Sequence, residues 1–189
     1  MASSRVLPEV ADAADEGVVA LDIAKAHAYG NDFLYLETDD LGRLDGPALA
    51  REMCARHTGA GADGLILFRR AGDGAEMRLY NADGSFSEVS GNGVRGLAAV
   101  RCWTARREGL PAPPSMVIRT DAGDKHVEVL SWEPPRAVCR AAMGHPTDVS
   151  VATLDVGGAL VEAVVLRVGN PQCVVLETAL DQARYRRLG

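Results

Sequence analysis

MRLYNADGSFSEVSGNGVRGLAAVRCW, residues 77–103, divides into three parts. Met77 to Asn81 alternates apolar and polar residues as a half-buried strand does, NADGS is a turn, and Ser90-Gly91-Asn92-Gly93 opens a segment with helical apolar spacing. A strand thus runs into a glycine-rich corner and then a helix. The first turn of a helix carries backbone N–H groups without intrahelical partners, and the positive end of the helix dipole reinforces them. The corner at Ser90, Gly91 and Asn92 is therefore a seat for a carboxylate or a phosphate. Within the helix, Val94, Leu97, Ala98, Arg101 and Cys102 fall at mixed three- and four-residue spacings. Gly96, Ala98 and Ala99 keep it slim, which predicts a helix buried against or inside a sheet.

Upstream of this corner, VVALDIAKAHA from Val18 reads as a strand, Gly30-Asn31-Asp32 as a tight connection and Phe33 to Glu37 as a second strand. Pro47 at a first helical turn starts a helix to about His57, with Leu49, Met53 and Cys54 as its apolar face. HTGAGADG then leads into a short strand, Leu65 to Phe68, and AGDGA turns it back into Met77–Asn81. Downstream, Arg106, Arg107 and Glu108 end the helix, and strands follow at short spacing: Met116 to Thr120, His126 to Ser131, Arg136 to Ala142, Ala159 to Val168 and Cys173 to Glu177. Thr178 to Leu188 reads as a short helix. Helices do not alternate with strands after residue 110, so a doubly wound parallel sheet is disfavoured and the class is α+β.

Composition bounds the function. A chain of 189 residues, 47% hydrophobic, has room for one ordinary domain or two small ones with a core. A net charge of −6 gives no electrostatic reason to expect nucleic acid or an anionic membrane as partner. No stretch approaches the roughly 18 consecutive apolar residues of a membrane span. Residues 1–20 set Arg5 against Glu9, Asp12, Asp15 and Glu16 without an apolar core region, and are read as a flexible acidic leader rather than a secretory signal. A cytoplasmic location follows as the expectation. Lys25 and Lys125 are the only lysines, so a Schiff-base cofactor has few candidates. Cys54, Cys102, Cys139 and Cys173 are scattered without the paired spacing of a zinc or redox site, and read as buried thiols in a reducing compartment.

Four motifs stand out in order: HAYGNDF at 27–33, RHTGAGADG at 56–64, NADGSFSEVSGNG at 81–93 and GNPQCV at 169–174. Together they resemble the diaminopimelate epimerases over roughly residues 22–189. The resemblance implies a fold of pseudo-symmetric lobes, each a curved mixed β-sheet around a central helix, with substrate between them. It implies a first lobe at 21–133 and, with Pro134-Pro135 as boundary, the beginning of a second, incomplete lobe at 134–189. The activity implied is isomerisation of LL- and meso-2,6-diaminopimelate, a precursor of lysine and peptidoglycan, by two-base α-proton transfer without pyridoxal, other cofactor or metal. The partners implied are a small-molecule amino-acid substrate and either a second copy of the chain, as a homodimer, or a missing C-terminal half.

Carried onto this sequence, Asn31, Asn81, Gly91, Asn92 and Asn170 match positions that bind the substrate's carboxylate and amine ends. An asparagine beside glycine is equally a turn residue whose side chain caps its own backbone, and that alternative stands for each one singly. The catalytic position of the corner is Ser90, where the family has cysteine. A serine hydroxyl is far less acidic than a thiol and makes a poor general base near neutral pH. Cys102 lies twelve residues on, roughly 18 Å along a helix, too far to substitute. Glu88, two residues before Ser90 and on the same side of an extended chain, is a candidate replacement base or activator. Gln172 stands where the family usually has histidine, and can hydrogen-bond but not titrate. The family's second catalytic cysteine would follow Gly189, so the chain as given is expected to be a fragment with little activity alone. A racemase of another amino acid and an inactive ligand-binding paralogue remain as alternatives.

Overall fold

The computed structural model describes residues 21–176 and 181–188. The leader at 1–20, residues 177–180 and Gly189 lie outside it, as does the first part of the helix expected from Thr178. In chain order the elements are β1 (Ile23–Ala28), β2 (Asn31–Glu37), α1 (Gly46–Met53), β3 (Gly64–Ala71), β4 (Gly74–Asn81), β5 (Phe86–Ser87), α2 (Gly91–Arg107), β6 (Ser115–Thr120), β7 (Gly123–Glu133), β8 (Arg136–Ala142), β9 (Thr147–Val156), β10 (Ala159–Val168), β11 (Asn170–Val174) and α3 (Gln182–Leu188).

The chain is α+β. One eight-stranded mixed sheet runs β1-β2-β3-β4-β6-β7-β8, with β5 paired to β4; β2/β3 and β4/β6 are parallel and the other pairs antiparallel. A second, antiparallel sheet has the order β11-β10-β9. The larger sheet curls round α2, which touches β1 and β2 from one end and β7 and β8 from the other. Side chains alternate across a strand, and in β2 and β3 both sets are buried. Phe33, Tyr35, Ile66 and Phe68 pack with Val94, Leu97 and Ala98 of α2, while Leu34, Leu36, Leu65 and Leu67 pack with Ala50 and Cys54 on the α1 side. Each of the Leu, Ile, Val and Phe side chains among them contributes roughly 1.5–3 kcal/mol on burial.

The glycines of α2 are explained by this packing. A Cβ on Gly96 would stand 2.0 Å from Tyr35 Oη, and the Tyr35 hydroxyl donates to Gly93 O at 3.2 Å. Glycine costs about 1 kcal/mol relative to alanine inside a helix. Here it lets the helix lie directly on the sheet, which fixes where the N-terminus of α2 points.

Several sequence expectations shift. Gly30-Asn31-Asp32 is not the connection: the turn is Tyr29-Gly30, and Asn31 and Asp32 already pair in β2. The helix α1 ends at Met53 rather than near His57, because the chain bends back so that Gly61 N–H reaches Met53 O at 3.0 Å and Ala62 N–H reaches Cys54 O at 3.1 Å. Met77–Asn81 belongs to a strand that begins at Gly74 and buries Leu79 and Tyr80 in succession, one toward each helix. The strand β9 was not anticipated, and β11 starts at Asn170 rather than Cys173. Pro134-Pro135, a cis peptide, turns the β7–β8 hairpin within the larger sheet, so the change of sheet comes between Ala142 and Thr147.

Candidate active site

A cavity of about 470 Å³ opens where the strand–turn–helix corner meets the turn between β10 and β11. Asn31, Asn81, Ser90, Gly91, Asn170 and Gln172 stand in its wall. Residues far apart in sequence and drawn from both sheets therefore converge, five of them positions anticipated from the motifs and the sixth the anticipated departure.

Ser90 is the N-cap of α2, with extended backbone (φ −131°, ψ 125°), and its Oγ accepts the Gly93 N–H at 3.1 Å. The backbone N–H groups of Gly91 and Asn92 have no partner among the described residues, as the first turn of a helix requires. Asn81 closes β4 and donates from Nδ2 to Ser85 Oγ at 2.9 Å. Asn170 opens β11 and donates from Nδ2 to Val89 O at 2.9 Å and to Ser87 Oγ at 3.2 Å, tying the second sheet to the segment before α2. Gly169 makes this approach feasible: its φ is +72°, and a Cβ there would lie 2.5 Å from Val89 Cγ1. Asn92 stands behind the wall, its Nδ2 donating to Asn31 Oδ1 at 3.2 Å.

Glu88 does not take the place anticipated for it. Its carboxylate pairs with Arg167 at 3.3 Å and is not part of the cavity wall. None of the four cysteines lines the cavity either. Burial pushes the Cys54 and Cys102 thiols up to about 11, so both stay protonated near neutral pH.

Behind Asn31 lies an ionic cluster to which the sequence reading assigned no role. Arg56 Nη2 pairs with Asp32 at 2.9 Å and Asp63 at 2.6 Å, and Lys25 pairs with Asp32 at 3.2 Å. Each aspartate also accepts the other's backbone N–H, Asp32 N–H to Asp63 Oδ2 at 3.0 Å and Asp63 N–H to Asp32 Oδ1 at 3.1 Å. The Arg56 hydrogen bond, aided by Lys25 and opposed by burial, holds the Asp32 carboxyl well below the usual carboxylate range. The signal in the sequence was an aspartate beside asparagine in GND and another beside glycine in GADG, with an arginine opening the second motif. Among the described residues no group of three or more His, Cys, Asp or Glu side chains is placed to hold a metal ion, and no helix is long and apolar enough to cross a membrane.

Known proteins share this arrangement of sequence. A profile of the family described as diaminopimelate epimerase matches residues 23–149. The chain is 35% identical to a diaminopimelate epimerase from Desulforudis audaxviator over 184 residues, covering 89% of this chain and 64% of that protein. It is 36% identical to one from Corynebacterium glutamicum over 169 residues, covering 83% and 59%. The chain therefore spans less than two thirds of the length of these relatives. Among solved structures, a probable proline racemase from Agrobacterium radiobacter superposes with a TM-score of 0.62 at 15% identity, covering 82% of this chain and 52% of the other. A hydroxyproline epimerase from Agrobacterium vitis gives 0.56 at 13%, covering 81% and 50%. At those identities the likeness is one of fold. The profile, extending over more than half of the chain, and the level of identity across most of it show that the chain belongs to the diaminopimelate epimerase family.

Proposed function

We propose that the chain supplies one side of a cofactor-independent amino-acid epimerase site acting on LL- and meso-2,6-diaminopimelate. The observation that carries this reading is a single cavity that gathers Ser90 and Gly91 at the N-terminus of α2 with Asn31, Asn81 and Asn170. Its volume falls within the range of roughly 300–1,000 Å³ usual for small-molecule sites.

An amino-acid α-hydrogen is weakly acidic, and without an electron sink the charge left on its removal must be met by fixed donors. The N–H groups of Gly91 and Asn92, without partners among the described residues and reinforced by the helix dipole, are such donors for the substrate carboxylate. The asparagine side chains hold the polar ends of the substrate and so orient its α-carbon. Ser90 Oγ stands at the corner, but one of its lone pairs is committed to the Gly93 N–H. Ser90 therefore acts first as a hydrogen-bond donor to the bound carboxylate, and only weakly as a base. The group on the opposite face of the α-carbon comes from outside the described residues.

The commitment of Ser90 to capping favours a second reading, a ligand-binding paralogue in which the carboxylate seat persists without proton transfer. One experiment separates the two. The chain and its Ser90→Cys variant are incubated with LL- or meso-diaminopimelate in deuterium oxide, and α-deuteration is followed by NMR beside a calorimetric titration. The epimerase reading expects exchange to rise by roughly 10²-fold or more in the variant. Binding without exchange in either protein selects the paralogue, and absence of binding to both isomers overturns the assignment.

A further inference from the structure

We propose that Asp63 and Arg95 are positioning residues that lock the orientation of two amide side chains, and thereby fix which hydrogen-bonding group the cavity presents at Asn31. The inference deepens the amino-acid site proposed above and rests on it for the identity of the ligand. Its basis is a line of contacts running in one sense. Arg95 Nη2 donates to Asn92 Oδ1. Asn92 Nδ2 donates to Asn31 Oδ1 at 3.2 Å, and Asn31 Nδ2 donates to Asp63 Oδ2 at 2.9 Å. Asp63 is held on its other oxygen, Oδ1, by Arg56 Nη2 at 2.6 Å, and its Oδ2 also accepts the Asp32 N–H at 3.0 Å.

The oxygen and nitrogen of an amide are alike in shape, so its orientation is set by the chemistry of its neighbours. A guanidinium only donates and an ionised carboxylate only accepts. With a donor-only group at one end of the line and an acceptor-only group at the other, one orientation of each amide satisfies every link. Turning Asn92 over would set N–H against N–H at Arg95 and oxygen against oxygen at Asn31. Turning Asn31 over would set oxygen against the Asp63 carboxylate and N–H against N–H at Asn92. The charged ends make the outer links about twice as strong as neutral ones, and successive bonds polarise one another.

Asn31 and Asp63 both stand in the cavity wall. The Asn31 oxygen is engaged by Asn92 and one of its two N–H groups by Asp63, which leaves an N–H available. The Asp63 charge is met by Arg56. The wall at this point is thus a donor, and it suits a carboxylate or carbonyl oxygen of the ligand better than an ammonium group. Arg95 is not part of the cavity wall and reaches it through Asn92 and Asn31.

The test is an amide-correlation NMR spectrum of the isotopically labelled 189-residue chain, read at the side-chain signals of Asn31 and Asn92. Arg95→Met removes the donor end, Arg95→Lys restores a donor-only group, and Asp63→Asn replaces the acceptor-only end with one that can donate. The relay expects Arg95→Met to shift the Asn31 pair, which Arg95 does not touch, Arg95→Lys to return it, and Asp63→Asn to remove the displacement of the Asn31 proton caused by the carboxylate. Backbone signals of Leu67 and Ile118, both buried and distant from Arg95 in sequence, stay in place if the fold is unchanged. Should Asp63→Asn fail to fold, the Arg95 pair carries the test by itself. An Asn31 pair that does not move when Arg95→Met shifts Asn92 overturns the proposal. Titration with meso-diaminopimelate on the same samples separates the two readings: ligand shifts at Asn31 that vanish in Arg95→Met and return in Arg95→Lys extend the relay to binding. An intact relay with no ligand shifts upholds the relay and removes diaminopimelate.

Discussion

Ser90 Oγ accepts the backbone N–H of Gly93 at 3.1 Å, so the residue at the corner of the candidate site is also the cap of the helix that builds it. Removing a serine cap costs about 0.5–2 kcal/mol when alanine replaces it and a few tenths when glycine does. Ser90→Ala is therefore expected to lower the unfolding free energy by about 1 kcal/mol in urea titration, and Ser90→Gly by much less. Ser90→Cys gives up part of the cap because sulfur is a weak acceptor. In return its thiol lies at a helix N-terminus and should titrate below the free value of about 8.5. A thiol titrating at or above that value would mean that the positive end of α2 exerts no useful field at the site.

Gly96 and Tyr35 offer a test of how closely α2 is seated. Alanine is favoured over glycine by about 1 kcal/mol in a helix interior. The added Cβ would, however, stand 2.0 Å from Tyr35 Oη and 2.9 Å from its Cζ. Overpacking of this kind costs about 1–3 kcal/mol, so Gly96→Ala should destabilise despite the better propensity. Adding Tyr35→Phe removes the nearest atom and should recover part of the loss in a double-mutant cycle. Independent, additive effects of the two changes would refute the contact.

The Asp32 carboxyl is held well below the usual range, first by its hydrogen bond to Arg56. A lowered folded-state value means that stability from this group is present above the unfolded value of about 3.9 and is lost as pH falls through the folded one. Asp32→Asn should accordingly be less stable than the parent at neutral pH, with the gap closing progressively below about pH 5. Arg56 is half exposed, so salt at about 1 M should narrow the gap as well. Urea midpoints collected from pH 7 downward check this, and a gap independent of pH would exclude the ionic origin.

How much was legible in the sequence depended on how local each feature is. The corner at 77–103 follows from neighbouring residues, and so do β8 and β10, whose bounds match expectation. The double burial of β2 and β3 blurred the alternation that a one-faced strand shows. The strand β9 was masked differently: Val149 and Val151 are exposed, so its apolar residues do not mark a buried face. The relay through Asn31 was least legible, since its links join residues 32 and 61 positions apart. Motif matching brought Asn31, Asn81, Ser90, Gly91 and Asn170 to the cavity, but it gave no hint that Asp63 and Arg95 bracket two of the asparagines.

The cysteines supply a readout of the packing that needs no substrate. Cys173 is exposed, Cys139 is half-buried with its thiol raised by burial, and Cys54 and Cys102 are buried with thiols near 11. The thiolate is the reacting form, so a disulfide reagent at pH 7.5 should modify Cys173 promptly and Cys139 slowly. Cys54 and Cys102 should react only as fast as the surrounding structure opens. Cys102 lies on the buried face of α2, its Sγ 4.0 Å from Pro113 O, and fast modification there would contradict the packing of that helix. In the Ser90→Cys variant a second prompt thiol should appear, because Ser90 lines an open cavity at the positive end of α2. Protection of that new thiol by meso-diaminopimelate, with Cys173 unaffected, would place the ligand at the corner directly. Equal reactivity of both thiols with and without ligand would show that the carboxylate sits elsewhere.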